Sequence, residues 1–418
     1  MEQETQVAIA KKLVAALRTE DELQKLLGEG SELAPLVRRV FSTLLERDFP
    51  EFNTPEHSKV LTRIYKEAGS WGPLSAYLAD QSVTEIMVNG PGELHIERGG
   101  RIEEVSESFL CAETLSFLIE RIFTPLGKHL DAVTPYADGR LPDGSRVNAV
   151  VGPVAIKGPV LTIRKFSSLP TSERFFLSSG TLTEDSIEFL SACIRGRVNL
   201  VVSGGTGCGK TTLLNFLAGF IPGHERIITI EDTAELRLAQ RHVVPLEARP
   251  SSPQLPEISI RDLVVNSLRM RPDRIVVGEC RSKEALDMLQ AMNTGHEGSL
   301  TTIHANSVRD ALNRLETLVL LAGVDLPALS IRRQIASAIH VVIQMQRLED
   351  GSRRVVQISE LTGMEREVLL TGDIFALEKT EGPRPPRLVP TGVVPNLAEK
   401  MRRRGQGLDL SLFQPRSS

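Results

Sequence analysis

Asn199-Leu200-Val201-Val202-Ser203, followed at once by Gly204-Gly205-Thr206-Gly207-Cys208-Gly209-Lys210-Thr211-Thr212 and the apolar run Leu213 to Phe220, decides the reading of this 418-residue chain. A short apolar strand leads into a glycine-rich loop, and a helix resumes after it. The loop fits the pattern G-x-x-x-x-G-K-[ST] in its required strand–loop–helix setting. Its glycines let backbone N–H groups turn inward around phosphate oxygens, and the helix N-terminus adds partial positive charge. Gly204, Gly205, Thr206, Gly207, Cys208, Gly209, Lys210, Thr211 and Thr212 are therefore the expected nucleotide-binding residues. Lys210 would reach the β- and γ-phosphates and the Thr211 hydroxyl would sit on Mg2+, so that ATP and Mg2+ are the implied ligands. Cys208 reads as a small side chain tolerated in the loop rather than a redox switch, because no neighbouring cysteine is placed to resolve a sulfenic acid.

A phosphate loop needs acidic partners on neighbouring strands. Arg226-Ile227-Ile228-Thr229-Ile230 runs into Glu231-Asp232, and Asp273-Arg274-Ile275-Val276-Val277-Gly278 runs into Glu279. The carboxyl ends of strands form the ligand crevice of an open parallel sheet, so Glu231 and Glu279 are expected to project toward the nucleotide. Glu279 would hold Mg2+ through water or orient the attacking water, and Glu231 could share that work. The segment Thr294 to Asn306 carries two of the eight histidines, His296 and His304. Further metal ligands are not evident there, so both read as hydrogen-bonding groups around the γ-phosphate. Upstream, Ala137 to Asn148 sets Arg140 and Arg146 beside tight turns, and planar guanidinium groups suit a dense anion such as a triphosphate.

Around these motifs the chain divides by periodicity. Residues 1–78 recur at helical spacing (Leu13, Leu17, Leu23, Leu26, Leu27, Leu33, Leu36, Val37, Val40, Leu44) and predict a helical bundle without chemistry. Residues 79–166 change to period two, with strands at 85–88, 93–97 and 101–105, a helix near 115–122 and more strand from Arg146 to Phe166, which predicts an α+β domain. Residues 167–180 read as a hinge linker. From 181 to 418, beginning at Thr183 as a helix N-cap, helical and buried-strand runs alternate as in a βα-repeating sheet domain with a C-terminal extension. Gly382 to Pro395 reads as a loop or wrapped tail, and Arg402-Arg403-Arg404 as a solvated cluster.

Composition narrows the function classes. Lys and Arg number 49 against 53 Asp and Glu, a formal charge of −4, which argues against wholesale nucleic-acid binding. The four cysteines are scattered without a CxxC pair, which fits a reducing compartment. Met1-Glu2-Gln3-Glu4 lacks signal-peptide design, and no run approaches the roughly 18–20 apolar residues of a bilayer span. A cytoplasmic protein is expected, meeting the membrane only peripherally or through partners.

Taken together, the phosphate loop, Thr229 to Asp232, Arg271 to Glu279 and Thr294 to Asn306 resemble the Walker A, Asp, Walker B and His boxes of the type II/IV secretion ATPase superfamily. Within it the chain is most similar to the CpaF/TadA family of Tad (type IVc) pilus assembly ATPases, through Val83 to Gly90, Arg140 to Asn148, Leu161 to Phe166 and Ala285 to His296. The resemblance implies an α/β protein with a RecA-like P-loop domain, preceded by a PAS-like α+β domain that rocks against it. It further implies a homohexameric ring, ATP bound between the two domains and an inner-membrane platform as partner. By motif match it gives Lys210, Thr211, Glu231, Glu279, His296 and His304 the box roles and brings Arg140 and Arg146 toward phosphate. Cys208 and Cys280-Arg281-Ser282-Lys283 depart from the usual family pattern. An ATPase of a type IV, conjugation-like secretion channel shares these boxes; a RecA-like DNA motor and a nucleotide-sensing regulator are the alternatives of another class.

Overall fold

A computed structural model describes residues 3–29, 33–166, 172–249, 251, 256–378 and 386–415. The chain forms two compact units, Met1–Ser168 and Leu169–Ser418. The expected hinge at 167–180 begins outside the described residues, and its remainder contains the short helix Glu173–Ser178.

In the first unit, helices Gln3–Arg18, Ala34–Asp48 and Ser58–Gly69 bury their apolar stripes on one another through Ile9, Leu13, Leu17, Val37, Val40, Leu44 and Ile64. Six strands follow: β1 (Val83–Val88), β2 (Leu94–Arg98), β3 (Arg101–Val105), β4 (Tyr136–Arg140), β5 (Arg146–Val150) and β6 (Val160–Arg164). They form one antiparallel sheet in the order β3-β2-β1-β6-β5-β4. The strand material expected from Arg146 to Phe166 is thus two strands, separated by a turn at 151–159. Helix Ala112–Phe123 is apolar on two sides. Phe117 packs into the helical cluster, while Leu115, Leu118, Ile119 and Ile122 pack onto the sheet, so bundle and sheet share one element and one unit.

The second unit is built on nine strands: β7 (Leu200–Gly204), β8 (Ile227–Glu231), β9 (Val243–Glu247), β10 (Arg274–Cys280), β11 (Leu300–Ile303), β12 (Val341–Arg347), β13 (Arg353–Glu365), β14 (Val368–Glu378) and β15 (Arg387–Pro390). Their order is β15-β14-β13-β12-β7-β11-β10-β8-β9. From β12 through β9 every pair is parallel; β13, β14 and β15 are added antiparallel. The parallel core explains the unbroken apolar runs seen in sequence, because helices cover both faces. Along β7, Leu200 and Val202 face one core, which includes helices Glu184–Arg195 and Lys210–Ala218. Val201 faces the other, which includes helices Glu284–Asn293, Val308–Leu321 and Ala328–Ala338. Thr183 is the N-cap of helix Glu184–Arg195, in a capping box with Ser186.

One expectation about the C-terminal region is corrected. Within Gly382 to Pro395, residues 382–385 lie outside the described set, but Arg387–Pro390 is a strand paired with β14. A proline in that stretch is tolerated because β15 is an edge strand. The three arginines are all exposed, as a solvated cluster would be; Arg402 and Arg403 pair with Glu399, and Arg404 with the Gly196 carbonyl and Glu297. The preceding helix Leu397–Arg403 sets Leu397 and Met401 into the core.

Candidate active site at the phosphate loop

The loop between β7 and helix Lys210–Ala218 is fixed by steric demand at single positions. Gly207 and Gly209 hold φ of 71° and 96°, the left-handed region that glycine enters without penalty. Gly204 is crowded instead: a Cβ there would lie 2.5 Å from the Cys208 sulfur and 2.7 Å from the Met345 carbonyl oxygen. Cys208 is buried, and burial pushes its thiol above the ordinary range, so it is packing material rather than a reactive group. Gly204→Ala is expected to cost about 1–3 kcal/mol of stability, seen as a lower melting temperature. Gly205→Ala, whose Cβ would meet nothing within 4 Å, should melt like the wild type.

Lys210 is buried and directs its ammonium at three acceptors: the carbonyls of Gly204 (3.0 Å) and Gly205 (2.9 Å) and Nδ1 of His304 (3.3 Å). Burial lowers its pKa from the usual lysine value. His304 follows β11, whose register beside β7 pairs Ile303 with Ser203 and so brings the imidazole to the loop. Desolvation, with the Lys210 charge next, lowers the His304 pKa, which favours a neutral ring accepting from lysine. Its Nε2 then lies 3.0 Å from Oε1 of Glu279, at the carboxyl edge of β10. The other Glu279 oxygen meets Arg281 at 2.7 Å, and Arg281 reaches on to Asp232 at 2.9 Å. A continuous row therefore runs Lys210–His304–Glu279–Arg281–Asp232 along the carboxyl edge of the sheet. The Glu279 Oε1 atom is buried, and its 3.0 Å contact with His304 Nε2 is close but not aligned as a hydrogen bond. It is suited to a Mg2+-bound water, with the Thr211 hydroxyl on the adjoining helix. Among the described residues no three metal-ligating side chains converge, so phosphate and water oxygens would supply most of such an ion's shell.

Other expected site residues fall elsewhere. His296 lies at the amino edge of β11, four residues before Leu300, whereas His304 follows its carboxyl end. About 13 Å of strand separates the two edges, so His296 does not enter the row around the phosphate loop. Its carbonyl accepts from Ser299, and its Nδ1 is buried without a hydrogen bond. Glu231 ends β8 beside the site, but its carboxylate turns back to accept the backbone N–H groups of Glu235 and Leu236. Gly278 makes this possible: a Cβ there would lie 2.7 Å from Cγ of Glu231.

Burial raises the Glu231 pKa to about 7. Because the folded-state pKa lies above the ordinary value of 4.5, this group's contribution to stability is intact below about 4.5 and declines as pH rises through about 7. The decline should amount to about 3 kcal/mol. Melting curves of wild type and Glu231→Gln across pH 4.5–8 should diverge in that window, the variant having the flatter profile; parallel profiles would contradict the burial.

Arg140 and Arg146 belong to the first unit, directly opposite each other on β4 and β5; Arg146 in turn faces Arg164 on β6. Register thus builds a row of three arginines across three strands, of which Arg164 is invisible to local spacing. Arg281 also joins the site as the partner of Glu279, and Asp232 as the second partner of Arg281, roles that only the proximity of β8 and β10 reveals.

The description "Type II/IV secretion system protein" matches residues 67–368. The chain belongs to that family. It is 33% identical over 311 residues to the conjugal transfer protein TrbB of Rhizobium radiobacter, covering 73% of this chain and 92% of that one. It is 34% identical over 316 residues to the type IV secretion system protein PtlH of Bordetella pertussis, covering 68% and 92%. Among solved structures, the ATPase DotB of Legionella pneumophila has the same fold, with a TM-score of 0.50 at 24% identity, covering 67% of this chain and 77% of that one. Among the described residues no helix is long and apolar enough to cross a membrane.

Proposed function

We propose that this member of the secretion family hydrolyses ATP at the phosphate loop and works as a homohexameric ring motor. The observation that carries the reading is the row Lys210–His304–Glu279, which puts a cation, a neutral imidazole and a carboxylate at one edge of a glycine-rich loop. A γ-phosphate entering there would take Lys210 from its carbonyl partners and accept from it instead. His304 sits between Lys210 and Glu279, so the presence of the terminal phosphate is passed to the carboxylate that orients water. Mg2+, held by Thr211 and through water by Glu279, would neutralise charge on the phosphates. Arg140 and Arg146, on the first unit, are assigned to approach the nucleotide when the two units close, within a ring assembled from the regions 1–78, 79–166 and 181–418.

The motif content of Val83 to Gly90, Arg140 to Asn148 and Ala285 to His296 supports placement with the CpaF/TadA pilus-assembly ATPases, acting from the cytoplasm on an inner-membrane platform. A second reading, the motor of a conjugation-like type IV channel, is favoured by the names of the relatives TrbB and PtlH. Co-purification separates the two: a pilus platform protein supports the first, channel components the second. The ring itself is tested by mass in solution. Six-subunit particles should form with ATP and Mg2+, and the ATPase rate per subunit should rise as they form; a full rate from monomers would overturn the ring.

A further inference from the structure

Arg353 opens β13 on the flank of the phosphate loop opposite Glu279 and His304, as the strand order β13-β12-β7-β11-β10 requires. Its Cδ lies 3.5 Å from where a Cβ of Gly209 would stand, so the side chain passes against the Gly209-Lys210 turn. The residue is half-buried, yet its guanidinium makes no hydrogen bond or ion pair among the described residues. A planar group with five donors normally finds partners when it is partly removed from water. The backbone of Arg353 is nevertheless held firmly, since its carbonyl accepts from the Thr181 hydroxyl at 2.8 Å and the Val355 N–H donates to the Thr181 carbonyl. An arginine anchored in this way and aimed along the loop is preorganised to bind an anion.

We propose that Arg353 is a nucleotide-binding residue that holds the end of ATP or ADP remote from the γ-phosphate, at the α-phosphate and nucleoside. The inference rests on the nucleotide reading given above. Lys210, His304 and Glu279 define the terminal-phosphate side, toward β11 and β10. With the β-phosphate in the loop, the remainder of the nucleotide extends away from Glu279, toward β12 and β13. The pairing of Met345 with Gly204 brings the carboxyl end of β12 alongside the loop, and β13 begins where β12 ends. Phosphate recognition would thus be divided between a flank that distinguishes ATP from ADP and a flank, formed by Arg353, that does not.

The test is calorimetric titration of ATP and ADP, with Mg2+, into full-length wild type, Arg353→Ala and Arg353→Lys, together with melting curves without nucleotide. Arg353→Ala should weaken ATP and ADP equally, by about tenfold. Arg353→Lys should recover part of that loss, and all three proteins should melt alike. Unchanged affinity in Arg353→Ala, a loss confined to ATP, or a loss accompanied by a lowered melting temperature without nucleotide would overturn the assignment. Failure of the wild type to bind either nucleotide would instead overturn the reading on which the assignment rests.

Discussion

Lys210→Ala should lower ATP affinity by about 10²–10³-fold while leaving the fold intact. The ammonium is a charged donor turned into the loop, and burial keeps it poorly hydrated. Its loss removes a charge-assisted bond to phosphate at a place where water does not readily replace it. The fold should survive because the loop's shape rests on Gly204, Gly207 and Gly209, and because the following helix is held by Leu213, Leu214 and Leu217 in the core. Equilibrium binding and a melting curve check this together. Unaltered affinity would remove Lys210 from the site; a collapsed melting transition would show the ammonium to be structural.

Glu279→Gln should separate binding from turnover. The substitution keeps the shape and the contact with Arg281 but removes the negative charge that faces His304 and would orient the attacking water. ATP affinity is expected within a few-fold of wild type, and phosphate release should fall about 10³-fold, within the range typical of a lost general base. Release at the wild-type rate would transfer the role to another carboxylate. Glu231 is poorly placed to take it, because its oxygens are already committed to the backbone of residues 235 and 236.

What could be read from sequence follows from how local each constraint is. The phosphate loop was legible because strand, glycines, lysine and helix are contiguous and each obeys a steric or electrostatic demand of its own. Glu279 and His304 were legible as residues at the carboxyl ends of buried strands; in a parallel sheet those ends share an edge whatever the strand order. The position of His296 is not legible from spacing: it lies only eight positions from His304 in the sequence, while the intervening strand carries the two to opposite edges. For Glu231 the strand end is legible, but the direction of its side chain is set by Gly278 on the neighbouring strand and by the turn that follows β8. The row Arg140–Arg146–Arg164 and the placement of Arg353 against Gly209 depend on sheet register between distant segments, which no local pattern encodes.

The measurement that bears most directly on the central claim is phosphate release from ATP by the assembled wild-type chain, with and without Mg2+, beside Lys210→Ala. Turnover should require Mg2+ and disappear in the variant. A folded wild-type assembly that binds ATP and Mg2+ but releases no phosphate would contradict hydrolysis at this loop.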